Sequence, residues 1–118
     1  ERVRREKQRR EEAAELLTQL RDKLETDKER ARRTYMESRS FEVAVVHYTE
    51  AISSMEDLVY HVRLHGDENG SVSTADELRR RLAPLFWSRA AAHIMIGRYR
   101  SAVTDCALAL ESNKDFDQ

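Results

Sequence analysis

The chain has 118 residues and a formal net charge of −1, from 21 Lys and Arg against 22 Asp and Glu; it is 36% charged and 40% hydrophobic, with one proline and three glycines. That length suits a single domain with a core of its own, and the balanced charge gives no global attraction to nucleic acid or to an anionic membrane. A single cysteine, Cys106, excludes an internal disulfide and a thiolate metal cluster, and the most apolar run, residues 82–97, is broken by Arg89 before it reaches membrane-spanning length. With so little punctuation and so much Ala, Leu, Glu and Arg, the expected fold class is all-α. A lone cysteine fits a reducing compartment, and ERVRREKQRR lacks the apolar segment of a secretory signal, so the expected location is cytoplasmic. Since Glu1 is not a methionine, the chain reads as an excised or processed piece.

Residues 1–37 contain no Gly or Pro, and Ala13, Leu17, Leu20, Leu24, Ala31 and Tyr35 recur at helical spacing, with Lys28 at the skipped turn. One long helix is predicted there. Thr26 with Glu29 offers a competing start, as a capping box. The first dozen residues carry only Val3 as an apolar side chain besides stem carbons, so they read as a solvated, charge-laced extension. After Ser38, Arg39 and Ser40, a second helix runs to about Leu64, its apolar face formed by Phe41, Ala44, Val45, Tyr48, Ile52, Met55, Val59 and Val62. A third starts at Thr74, whose partner is Glu77, and buries Leu78, Leu82, Leu85 or Phe86, Ala90 and His93, with a kink or brief break near residues 82–83 caused by Pro84. Gly97 stops it. A fourth, lined by Tyr99, Ala102, Val103, Cys106, Ala109 and Leu110, ends near residues 112–113.

An internal repeat links these helices. Tyr35, Phe41, Ala44, Tyr48 and Ala51 match His93, Tyr99, Ala102, Cys106 and Ala109, each pair 58 positions apart. The order of large and small residues resembles the tetratricopeptide repeat, a two-helix unit of about 34 residues. Residues 83–116 carry the resemblance through Gly97, Tyr99, Ala102, Asp105, Cys106 and Ala109, and are similar to repeats of co-chaperone-type adaptors. In residues 25–58 Ala44, Tyr48 and Ala51 fit, while Arg32 stands where a small packing residue is usual and Arg39 where the turn glycine is usual. Because such units are about 34 residues long, copies that start 58 positions apart leave roughly 24 residues between them.

The resemblance implies an α-solenoid fragment of antiparallel helical hairpins in a single domain. Residues 1–24 form an N-terminal helical extension, 25–58 the first repeat, 59–82 an inserted helical hairpin, and 83–116 the second repeat. Ala44 and Ala102 would permit close helix approach, with Phe41 and Tyr99 filling the wedge beyond each turn. It also implies a groove for a peptide or helix of a partner protein. Its positions are Glu29, Arg33, Met36 and Glu37 in the first repeat, and Trp87, Ser88, Ala91 and Met95 in the second. Co-chaperone relatives clamp a chaperone's terminal carboxylate with a lysine and two asparagines; here Glu29, Arg33 and Ser88 stand at those places, so the clamp is unmatched.

Other chemistries are weaker. HGDENGSVSTAD, residues 65–76, places Asp67, Asn69 and Gly70 at calcium-loop positions 3, 5 and 6, but His65 and Asp76 are poor first and last ligands, and a turn-forming hairpin tip explains the composition. His61 and His65 share zinc-ligand spacing without an evident third ligand, so no metal or cofactor is expected. His93 reads as packed core and His47 as exposed. Cys106 falls on the buried face of the last helix, where a thiol is inert. The basic runs at residues 2–10 and 79–81 lack neighbouring aromatics and read as solvated faces, which argues against nucleic acid. No nucleophile elbow or phosphate loop is present, and a catalytic role is not expected. The expected function is a non-catalytic adaptor or scaffold module, with Trp87, Met36 and Met95 as anchors and Arg33 and Glu29 as polar selectors. The alternatives are self-association or assembly through the long N-terminal helix, with two repeats leaving open ends, and a regulatory region of a larger enzyme.

Overall fold

This computed structural model describes residues 1–65 and 72–114. The described elements are α1 (Arg2–Arg33), a π-helical turn (Thr34–Ser38), α2 (Phe41–His65), α3 (Val72–Arg80), α4 (Leu82–Met95) and α5 (Tyr99–Ser112). All are helical, as the composition implies. No helix among the described residues is long and apolar enough to cross a membrane.

α1 is unbroken over 32 residues, about 48 Å at the helical rise, and sets most of the molecule's 59 Å long dimension. Thr26 does not start a new helix. Its hydroxyl donates to the Asp22 carbonyl at 3.0 Å, one turn back. Leu24 and Ala31 are buried, and Leu17, Leu20 and Tyr35 pack on the same core. Residues 1–12 are exposed throughout.

The turns after α1 and after α4 are related. Arg39 adopts the left-handed conformation at φ 53°, and Gly97, its equivalent in the internal repeat, does so at φ 77°. At Gly97 the Arg98 amide closes onto the His93 carbonyl at 2.9 Å; at Arg39 the Ser40 amide reaches one residue further back, to Thr34 at 3.1 Å. The π-helical turn accommodates that wider closure. An arginine is held where glycine is easiest, and its guanidinium lies 5.5 Å from the Phe41 ring centroid.

α2 is the centre of the fold, with α1, α3 and α4 packed on it. All eight residues of its predicted apolar face are buried or half-buried, and Met55 and Leu58 are sealed from solvent. α3 returns along α2, with Ala75 and Leu78 buried and Asp76 3.8 Å from Arg63. Of the kink or brief break expected near residues 82–83, the structure has the break, at Arg81, which divides the segment into α3 and α4; α3 begins at Val72 rather than Thr74. The Arg81 amide donates to the Glu77 and Leu78 carbonyls at 3.3 and 3.0 Å, closing α3. Pro84 is then the third residue of α4, where a missing amide hydrogen costs no intrahelical bond.

α5 packs on α4 through Ala102, Asp105, Ala109 and Ser112. This corrects the predicted face, because Val103 and Leu110 are 69% and 65% exposed and Cys106 is only half-buried. Tyr99, expected in the wedge beyond the turn, is 65% exposed. α5 keeps the register of α2, burying Ala102 and Ala109 as α2 buries Ala44 and Ala51; its larger apolar residues are exposed because α5 packs on α4, whereas both α1 and α4 pack on α2.

Gly97→Ala tests the left-handed turn. A Cβ there would meet no atom within 4 Å, so the loss should be the backbone penalty alone, about 1 kcal/mol in urea unfolding. A loss of several kcal/mol would contradict this reading.

Candidate binding surface

The residues assigned to a groove fall on α1, the π-helical turn after it and α4. On α4, Trp87, Ala91 and Met95 stand on successive turns of one face; Trp87 is 44% and Met95 48% exposed, and Ala91 is half-buried beneath them. Glu29 and Arg33 line a shallow furrow along α1 with Glu25, Thr26, Arg30 and Thr34. Met36 and Glu37 lie in the π-helical turn, with Met36 62% exposed. Tyr48 of α2 connects the two sides. It is buried, and burial first of all raises its pKa, opposed by the nearby Ser88 hydroxyl of α4, with Tyr35 adding to the rise and Arg32 opposing it. The Ser88 hydroxyl donates to the Pro84 carbonyl at 2.9 Å.

Glu29 and Arg33 are not free selectors. Arg32 grips Glu29 with Nε and Nη2 at 3.0 and 2.7 Å, and Arg33 Nε reaches the same carboxylate at 3.1 Å. The hydrogen bond from Arg32, then that from Arg33, pulls the Glu29 carboxyl down to about 2. The Glu29 carboxylate is thus committed to two guanidiniums within α1, which leaves one net positive charge there, while the row on α4 is apolar and exposed.

Two buried polar clusters hold the platform. Asp27, 5% exposed, accepts from Ser54 Oγ at 2.6 Å and Lys23 Nζ at 2.9 Å, and Lys23 also donates to Ser54 at 2.8 Å. Burial pushes the Asp27 carboxyl up, yet the bonds from Ser54 and Lys23 together with the charges of Lys23 and Arg30 outweigh it and hold its pKa below the ordinary value. The second cluster joins α4 to two neighbours. Arg89 forks onto Asp105 of α5, Nε to Oδ2 at 2.9 Å and Nη2 to Oδ1 at 2.6 Å, while Nη1 donates to Thr49 of α2 at 3.1 Å.

His93 is buried as expected, with Nε2 3.6 Å from Asp105 Oδ2 and Nδ1 without a hydrogen-bond partner. Burial lowers its pKa, Asp105 opposes that, and Arg89 and Arg98 add to it. Asp105 already gives both oxygens to Arg89, so this cluster has the geometry of a structural bolt rather than of an acid–base pair. His47, expected to be exposed, is half-buried with Nδ1 3.2 Å from Glu50. His61 and His65 stack at 5.9 Å. Among the described residues no group of three or more His, Cys, Asp and Glu is placed to hold a metal ion. The calcium-like positions Asp67, Asn69 and Gly70 lie outside the described residues.

Sequence reasoning missed Asp27 and Arg89 as structural residues. The signal was present: Asp27 sits in phase with Leu24 and Ala31, and Asp105 in phase with Ala102 and Ala109. Searches against family models, curated proteins and solved structures return no match for the chain.

Arg89→Met leaves Asp105, whose side chain is 3% exposed, without its main partner; the expected loss is about 3 kcal/mol in urea unfolding, with much of it recovered in Arg89→Met/Asp105→Leu. A neutral single variant would contradict the bolt. The pH dependence follows from His93. Its folded pKa lies below the ordinary 6.5, so the unfolded chain binds the proton first. Its contribution to stability is whole above about 6.5 and is lost as pH falls through the lower, folded value. His93→Phe should flatten stability over that window, measured by urea unfolding from pH 7.5 to 5; an unchanged slope would refute it.

Proposed function

We propose that this chain is a non-catalytic protein-binding module of tetratricopeptide type, an adaptor that holds a helix or extended segment of a partner protein against α4 and α1. The observation that carries it is the row Trp87, Ala91 and Met95, which places a half-exposed indole and thioether on one face of α4. A solvent-facing surface seldom spends a tryptophan there unless something covers it, and large aromatic anchors dominate binding energy at protein interfaces.

The repeat reading is supported by backbone as well as side chains. α2 and α5 begin at Phe41 and Tyr99, the left-handed residues are Arg39 and Gly97, and the buried alanines are Ala44 with Ala102 and Ala51 with Ala109; every pair keeps the same register. The partner segment is apolar at its centre. A terminal carboxylate is disfavoured as the anchor, because Glu29 occupies the place of the clamp lysine and the guanidiniums of Arg32 and Arg33 are already committed to it. With one cysteine and no catalytic constellation in the sequence, we place the module in the cytoplasm and assign it no cofactor.

The test is affinity capture with the chain and with its Arg33→Ala/Trp87→Ala variant, followed by titration of the captured partner. Trp87→Ala alone should weaken binding by roughly tenfold or more, the behaviour of an interface anchor. Undiminished affinity sinks the anchor assignment, and captures that survive the double variant but vanish on deletion of residues 1–20 would place recognition on the N-terminal helix instead.

A further inference from the structure

The start of α1 and the body of the fold carry opposite charge. Residues 1–10 hold six Arg or Lys side chains and two Glu, a net +4 in a chain whose total is −1, so the other residues sum to −5. The structure separates the two parts. Residues 1–12 are exposed throughout, and α1 meets the core at Leu17. Arg2 stands about 22 Å beyond Leu17 at the helical rise, on one unbroken helix.

The cations are not gathered on one side of that helix. At about 100° per residue, Arg2, Arg5 and Arg9 form one row, Arg4 and Lys7 form another on nearly the opposite side, and Arg10 lies between them. Arg2, Arg5 and Arg9 line a shallow furrow edged by Glu1 and Glu6. The Arg5 to Glu1 contact is 4.0 Å long with both side chains mostly exposed, too weak to hold the guanidinium from a stronger anion. Glu11 continues the second row and Glu12 accepts from Gln8 at 3.1 Å, so acids close the basic stretch after Arg10.

We propose that residues 2–10 are a docking arm for duplex DNA, and that the arm lies in the major groove between the two phosphate walls. The paired rows favour this occupant. An anionic membrane or an acidic protein surface meets a helix from one side and leaves one row in water, whereas a groove meets both. The dimensions agree, since a helix with its side chains is about 10–12 Å across and the major groove of B-form DNA is about 12 Å wide. Val3 is the one apolar side chain in this stretch, which leaves nothing to anchor in lipid. The lack of aromatics bears on single strands, whose bases are held by stacking; a duplex is held through its phosphates. The major groove of an RNA duplex is too narrow for the rod. The acidic body repels the same phosphates, which confines the contact to the arm. All the contacts are to the backbone, so the arm binds without sequence preference. This inference is independent of the α4 surface.

The probe is a fluorescein-labelled DNA duplex of about 20 base pairs, titrated with the intact chain by anisotropy at increasing salt. Saturable binding is expected at low salt. Five phosphate contacts give a slope of about −4.5 for log affinity against log salt, roughly a hundredfold loss for a threefold rise in salt. Arg2→Gln/Arg5→Gln/Arg9→Gln should bring the slope to about −2, and Arg4→Gln/Lys7→Gln to about −3. Glutamine keeps helix propensity, and circular dichroism checks that the helix is retained. Arg21→Gln/Arg81→Gln/Arg100→Gln, the same loss of charge at other exposed positions, should leave the slope unchanged, as should Trp87→Ala. Absence of binding at low salt, or a control variant as damaging as the row variants, overturns the arm. An effect from one row alone overturns the groove, because the partner is then one-sided. A polyglutamate peptide or a single strand that binds as tightly as the duplex overturns the choice of duplex DNA.

Discussion

The guanidinium of Arg89 is the point where three helices meet. It stands on α4, takes both oxygens of Asp105 on α5 and reaches Thr49 on α2. Stripping water from an ion pair is expensive, and only a forked geometry with further hydrogen bonds offsets that cost. Here the fork is satisfied, with the Phe86 ring 5.6 Å below the guanidinium. The pair adds modest net stability but strong specificity. α5 is seated in the rotation that brings Asp105 under Arg89 and buries Ala102 and Ala109, with Val103 and Leu110 exposed.

The same logic recurs between α1 and α2 in a different chemical form. Lys23, Asp27 and Ser54 close a three-membered ring of hydrogen bonds, with Lys23 mostly outside and Asp27 inside. On the same helices Ala31, Ala44, Ala51, Ala92 and Ala109 are all fully buried. Small residues bring backbones close and polar bolts fix the register, while Ile52, Met55, Leu58, Leu85 and Phe86 fill the core and Trp87 and Met95 stand at the surface. The bond from Arg89 to Thr49 ties the central helix to the helix that bears Trp87 and Met95.

Periodicity made α2 legible in full, because its face is built from large apolar residues whose phase is unambiguous. It failed on α5, where the buried stripe is Ala102, Asp105, Ala109 and Ser112 and the larger residues lie outside. A pattern that weighs residues by hydrophobicity ranks Val103 and Leu110 above a paired aspartate. Pro84 made a kink or a break legible close to Arg81 but did not decide between them, since a proline fits a first turn as well as it spoils a middle one. For the candidate surface, Trp87 and Met95 were legible as a row. The pairing of Glu29 with Arg32 and Arg33 was also visible as i,i+3 and i,i+4 spacing. The bond from Lys23 to Ser54 spans 31 positions and has no local trace in the sequence.

The unpacked start of α1 gives the molecule two kinds of helix in one rod. Beyond Leu17 the helix is held by burial, which salt barely touches; over residues 1–12 it is held by propensity and by exposed contacts such as Gln8 with Glu12 and Arg5 with Glu1. Such a segment winds outward from a nucleus that the core has already formed, so the costly first turn is never required of it. Its length as a rod is therefore set by ionic strength and by whatever charges lie nearby, while the body to which it is joined keeps a fixed shape. One covalent helix thus carries a gradient from rigid strut to electrostatically adjustable arm, with the transition close to where leucine first enters the sequence.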